Sequence, residues 1–176
     1  MVKIAVFAVV ALALSVPAMM MGQGNGNVVP AQPATQTQDK IIVLQGPQVQ
    51  AQLAQLVEQA KIKHHGGAEL ARTGNIAMQL SVMPHNGPGE LHRNSDDLLI
   101  VQKGSATVVT GGTMLNGKDR PGGNTYGSGL EGGDSTTISA GDIVIIPAGL
   151  THQLLVPPGT VLTMIVGKIQ EPASDR

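Results

Sequence analysis

Five histidines, His64, His65, His85, His92 and His152, carry most of the chemistry open to this chain, and two of them sit where strands would aim them. His152 follows the stretch Gly141-Asp-Ile-Val-Ile-Ile-Pro147-Ala-Gly149-Leu-Thr, an apolar run that enters from a Gly-Asp turn and leaves through Pro-Ala-Gly. Pro147 fixes φ and Gly149 permits φ > 0, so the chain turns sharply there and projects one polar side chain from an aliphatic sheet. His92 and Asn94 lie two apart and face one way on a strand. After the polar pair Ser95-Asp96, the residues Asp97, Leu99 and Val101 share a face of the next strand. Imidazole, amide and carboxylate groups can therefore converge from adjacent strands into a site, although these types alone select no reaction. Asp96 competes with Asp97 for a place in it if no turn intervenes. His64 and His65 follow Lys61 and Lys63 at the end of a helix, where the helix dipole favours solvated cations. His85 lies in the turn cluster Pro84 to Gly89 and reads as a surface-loop residue able to line a mouth.

These residues carry a resemblance to the cupin superfamily. Gly141, Pro147, Gly149 and His152 match its second motif, G-x5-P-x-G-x2-H-x3-N, with Val156 at the final Asn position. Its first motif is G-x5-H-x-H-x3-4-E-x6-G. The sequence places His92 at the first His, Asn94 at the second, Asp97 at the Glu and Gly104 at the closing Gly. The spacing before the carboxylate is then one residue short, and Gly87 is one position too close to His92. The motifs span 87–156, and the strand pattern extends the likeness over about 68–169. The resemblance implies a small antiparallel β-barrel of the jelly-roll kind. In it His92, Asp97 and His152 would bind one divalent metal, Fe, Mn, Zn or Ni, with Asn94 as a weak oxygen donor or supporting group. It also implies a small-molecule ligand, with metal-dependent catalysis of a dioxygenase or isomerase type as one outcome. A non-catalytic binding or sensing module without metal is the alternative, and a structural role through a homodimer is a third. Further acid–base groups in reach of a barrel mouth are His85, Glu90 and Tyr126.

The elements that must hold these residues are legible in outline. Residues 1–18 read as a signal peptide: Lys3, then an almost unbroken apolar run from Ile4 to Val16, then small residues before a cleavage point after Ala18. The run is shorter than the ~20 residues a membrane span needs, so the expectation is export to a periplasmic or extracellular space without stable membrane insertion. Residues 19–40 are poor in charge and rich in Gly, Asn, Gln, Pro and Thr, the composition of a flexible linker. Residues 41–176 form the domain. Ile41 to Leu44 is a strand candidate. From Pro47 to about residue 64 a helix places Val49, Leu53, Leu56, Val57 and Ala60 on one face, ending at Gly66-Gly67.

Strands are expected at Ile76 to Met83, Leu98 to Val101, Ala106 to Val109, Thr136 to Ile138, Asp142 to Ile146, Thr151 to Val156 and Val161 to Ile169, with Lys103-Gly104 as a hairpin turn. The Gly-rich span Gly111 to Gly133 reads as one long loop. The run Val161 to Val166 suits either core packing or a dimer interface.

Composition excludes more than it selects. Eleven basic residues against twelve acidic ones, with no basic run, leave no footprint for nucleic acid. Zero cysteines exclude disulfides, thiolate metal sites and Cys nucleophiles. One Tyr, one Phe (Phe7, within the leader) and no Trp mean that any pocket is walled by aliphatic residues. A stacking platform for sugars or bases is therefore largely missing.

Overall fold

The structure, a computed structural model, describes residues 41–171. Helix α1 (Gly46–Lys63) comes first. Pro47 enters its first turn, where the missing N–H costs nothing, and Lys61 and Lys63 lie in its last turn, where the dipole favours cations. His64 then takes a left-handed conformation at φ 63° and closes the helix by donating its backbone N–H to Ala60 O.

Two antiparallel sheets follow. The first holds, in spatial order, β1 (Gly66–Thr73), β2 (Ile76–Met83), β13 (Leu162–Gln170), β4 (Ser95–Lys103) and β11 (Ile143–Ile146). The second holds β10 (Asp134–Ser139), β5 (Ser105–Thr110), β12 (His152–Leu155), β3 (Gly89–His92), β8 (Asn124–Gly127) and β7 (Lys118–Arg120). A short ribbon pairs β6 (Thr113–Leu115) with β9 (Gly129–Glu131). The sheets face each other across one core to which both contribute: Leu99, Val101, Ile146, Leu162, Met164 and Val166 from the first, Ala106, Val108 and Ile138 from the second. The apolar run at 161–166 thus packs into the barrel. On the outer face of the first sheet, α1 buries Val49, Leu53, Leu56 and Ala60 against Leu80 and Val82. The architecture is a jelly-roll barrel with one N-terminal helix, as expected.

Three segments differ from expectation. Ile41 to Leu44 joins no sheet and is exposed, since a β-prone run without a partner strand gains no ladder. Lys103-Gly104 is not a hairpin turn. It is a corner at which the chain leaves the first sheet in β4 and enters the second in β5, whose partners are β10 and β12. The span 111–133 is not one loop, because β6, β7, β8 and β9 all fall within it. These strands are three or four residues long, too short to show the apolar alternation that betrays a strand, and their ladders are satisfied by backbone. The expected leader and linker, and residues 172–176, lie outside the described residues. No helix among the described residues is long and apolar enough to cross a membrane.

Candidate metal centre

The site is assembled by cross-strand register. In antiparallel pairs, residues directly opposite each other project to the same face. Across the second sheet, His152 of β12 stands opposite Glu90 of β3, and Glu90 stands opposite Tyr126 of β8. One row further on, His92 is opposite Asn124. On the first sheet Asp97 of β4 pairs with Lys168 of β13. The two sets face each other inside the barrel. Glu90, Tyr126, His152, Asp97 and Lys168 line a cavity of about 250 Å³ whose remaining walls include Met83, Leu99, Leu154, Met164 and Val166.

The turn that opened the sequence reading ties the two motif segments together. Gly149, at φ +82°, donates its N–H to the His92 carbonyl at 2.8 Å, and Ala148 N–H donates to Asp96 Oδ1 at 2.8 Å. Asp96 therefore holds the turn, and Asp97 is the carboxylate that enters the barrel.

Both histidines are oriented by their outer nitrogen. Asn124 Nδ2 donates to Pro121 O at 3.0 Å, which turns its Oδ1 toward His92. That oxygen accepts from His92 Nδ1 at 2.7 Å. His152 Nδ1 donates to the Leu150 carbonyl at 3.1 Å. With both Nδ1 positions protonated, the Nε2 atoms of the neutral rings present lone pairs to the interior. There they meet more acceptors. Glu90 Oε2 lies 3.0 Å from His92 Nε2, and Asp97 Oδ2 lies 3.6 Å from the Nε2 of each histidine. Asp97 Oδ2 also accepts from Lys168 Nζ at 2.6 Å, while its Oδ1 is buried without a partner.

Lone pairs so crowded are satisfied by a proton on His92 Nε2 or by a metal ion among them. Glu90, His92 and His152 each offer one ligand atom within 4.8 Å of the others, a group able to hold a metal ion. The donor chemistry fits: two imidazoles and one carboxylate suit a first-row divalent ion.

Titration behaviour reflects the crowding. Burial is the largest influence on His92 and favours its neutral form, but contact with Glu90 and then Asn124 outweighs it and leaves the pKa above the ordinary 6.5. Burial likewise opposes ionisation of Asp97, yet His152 and Lys168 beside it hold the carboxyl below 3.8. Tyr126 is pushed above 10.0 by burial and by the charges of Glu90 and Asp97.

Of the residues singled out from sequence, the structure brings His92, Asp97 and His152 together. Asn94 is not with them. It is exposed, and its Nδ2 reaches the Gly122 carbonyl at 3.4 Å, outside the barrel. Glu90, read from sequence only as an acid–base group, stands in the ligand group instead. His85 packs beside His64, ring centroids 5.6 Å apart, and does not line the cavity.

The available signal was spacing. Setting Glu90 and His92 at the two histidines of the first motif leaves four residues before Asp97 and six before Gly104, so the missing residue disappears. Asn124 was hidden in the Gly-rich span. Its role is testable. Replacing Asn124 by Ala frees the His92 ring, and metal affinity is expected to fall by about 10- to 100-fold in calorimetric titration, as for other groups that orient a ligand imidazole.

No protein-family model matches the chain, and no curated protein matches it. Solved structures do. The cupin domain of Cnp3 from Schizosaccharomyces pombe is 11% identical, covering 61% of this chain and 66% of its own, with a TM-score of 0.47. A Cupin 2 conserved barrel domain protein from Salinispora arenicola is 18% identical over 62% of this chain and 76% of its own, with a TM-score of 0.44. By its own sheet order the chain is a jelly-roll barrel. The DMSP lyase DddQ from Ruegeria pomeroyi is also similar, 15% identical over 65% of this chain but only 52% of its own, at a TM-score of 0.44. The chain thus spans just under two thirds of the first of these cupin-fold proteins and about half of the lyase. At these identities and TM-scores the barrel and its site rest on this chain's own strand pairing and geometry.

Proposed function

We propose that this protein is an exported cupin-type barrel that binds one divalent metal, Fe, Mn, Zn or Ni, through Glu90, His92 and His152. On this reading it acts on a small molecule, with dioxygenase- or isomerase-type chemistry. The observation that carries the reading is the shared aim of both Nε2 atoms and the Glu90 carboxylate, each imidazole being locked from behind by an acceptor at Nδ1. Nature holds metal-ligating histidines in this way. A three-residue ligand set leaves positions for a substrate oxygen, and a divalent ion there would polarise it as a Lewis acid. The protein's own groups frame the same cavity. Met83, Leu99, Leu154, Met164 and Val166 form its apolar part, Tyr126 keeps its proton and serves as a donor, and Lys168 fixes Asp97.

The test is metal content. Protein purified without chelator is expected to carry about one metal per chain, and metal-free protein to be stabilised by Mn, Fe, Ni or Zn. No stoichiometric metal and no stabilisation by any of the four would overturn the reading. Export is tested separately: protein recovered from the envelope or medium should begin just after Ala18.

Affinity should depend on pH with a definite sign. Without metal, the position between His92 Nε2 and Glu90 is competed for by a proton, and His92 binds it above pH 6.5. Affinity is therefore expected to fall as pH drops through the raised pKa of His92, by about tenfold per unit below it. Titrations at pH 6, 7 and 8 in buffers of different ionisation enthalpy would show the accompanying proton release.

The metal-free fold has its own linkage. His92, with its pKa raised on folding, contributes stability in full below pH 6.5 and loses it as pH rises through the folded value. Asp97, with its pKa lowered, contributes above 3.8 and loses that contribution as pH falls through the folded value.

A further inference from the structure

We infer that the molecule accepted beside the metal group is a small monoanion of the carboxylate type, with Lys168 as the residue that selects for its charge. This rests on the metal reading above and deepens it.

The first support is charge. Glu90 and Asp97 bring two negative charges into the cavity and Lys168 brings one positive. With neutral imidazoles and a divalent ion, one positive charge is left over. In a cavity set partly into the barrel core a net charge is costly unless a counter-charge accompanies it, and a monoanion restores neutrality where a neutral molecule or a dianion does not.

The second support is hydrogen bonding. Lys168 has three N–H donors and spends one on Asp97 Oδ2. Gln79, Ser81 and Tyr126 line the same cavity, and their side chains make no hydrogen bond to another protein group among the described residues. Gln79 and Ser81 lie on β2 and Lys168 on the neighbouring β13, so these donors share one wall opposite the histidines. An oxyanion placed there meets the ammonium and neutral donors together. The third support is size. At about 250 Å³ the cavity lies below the roughly 300–1,000 Å³ usual for drug-sized ligands, so the anion is small.

Asp97 sets the strength of this arrangement, because it shares the ammonium. The two members of one ion pair should therefore act in opposite directions. Lys168→Met removes the ammonium and should weaken anion binding. Asp97→Asn releases it and should strengthen anion binding. A pair that merely held the barrel together would give the same sign for both.

The experiment uses the full chain loaded with Mn²⁺, with acetate as the charged probe and acetamide as its neutral counterpart, followed by calorimetry and thermal shift. Acetate is expected to bind and acetamide not. Lys168→Met should weaken acetate by about tenfold or more, Lys168→Arg should restore most of the loss, and Asp97→Asn should tighten it. Mn²⁺ binding is measured first in every variant. If the unmodified chain takes up none of Mn²⁺, Fe²⁺, Ni²⁺ and Zn²⁺, the metal reading fails and this inference with it; if another of the four binds in place of Mn²⁺, the same titrations use that ion. If Mn²⁺ binds but acetate and acetamide are indistinguishable, or Asp97→Asn weakens acetate, this inference alone is overturned. Should Lys168→Met not fold, the Arg and Asn variants decide.

Discussion

Replacing Glu90 by Gln is expected to abolish stoichiometric metal binding, while replacing Asn94 by Ala leaves it intact. Glu90 stands opposite His152 in the strand register, and its Oε2 lies 3.0 Å from His92 Nε2. The change to Gln keeps shape and hydrogen bonding but removes the single negative charge of the three-residue group. Loss of a charged ligand exceeds the effect of a supporting group, so an affinity drop of at least about 100-fold is expected, roughly 2.7 kcal/mol. His152→Ala should do the same. Asn94 is exposed and turned toward Gly122, so its replacement should move affinity by less than about twofold. Calorimetric titration of the three variants reads this directly. Metal retained in the Glu90 variant and lost in the Asn94 variant would restore the motif register read from sequence and refute the one drawn from the strands.

The largest loss of stability is expected from Gly104→Ala. Gly104 makes the corner between the two sheets at φ +84°, a conformation that costs an L-residue about 1–2 kcal/mol. A Cβ there would also stand 2.5 Å from Val161 O, 3.1 Å from Val161 C and 3.2 Å from Leu162 Cα. These are backbone atoms, so relief requires moving the start of β13, the strand at the centre of the first sheet. Adding overpacking to strain predicts a loss of roughly 2–5 kcal/mol. Gly141→Ala is the matched comparison. Gly141 has φ +95° but nothing within 4 Å of the added Cβ, so only the conformational cost of about 1–2 kcal/mol applies. Denaturant unfolding of both variants separates the two contributions. Equal losses would show that the corner tolerates the extra atom.

The barrel was legible because its strands alternate cleanly. Ile76 to Met83 was read to the residue, and the Pro147–Gly149 turn was read with its purpose, to present His152. The helix was equally plain, since four apolar residues at helical spacing must be buried somewhere. Half of the site was less legible, for two physical reasons. Glu90 is a carboxylate at a position where the motif has a histidine, so residue type alone moves the register by two and puts Asn94 in its place. Period two makes a shift of two hard to notice, because it keeps every side chain on the same face. Asn124 and the strand that carries it left no apolar trace at all. Their backbone pairs with β3 and β7, and such pairing is invisible in composition.

The hydrogen bond from Gly149 to His92 has a kinetic consequence. It joins segments 57 residues apart, and the facing pair Asp97–Lys168 joins segments 71 apart. Glu90 and His92 share one short strand, but the set is completed by His152 only when distant strands have met, and encounters across such separations are the slow ones in folding. On the proposed reading, metal capture is then a late event that follows closure of the barrel. An ion once captured should act chiefly by slowing escape from the native state, since the state it stabilises is the fully closed one.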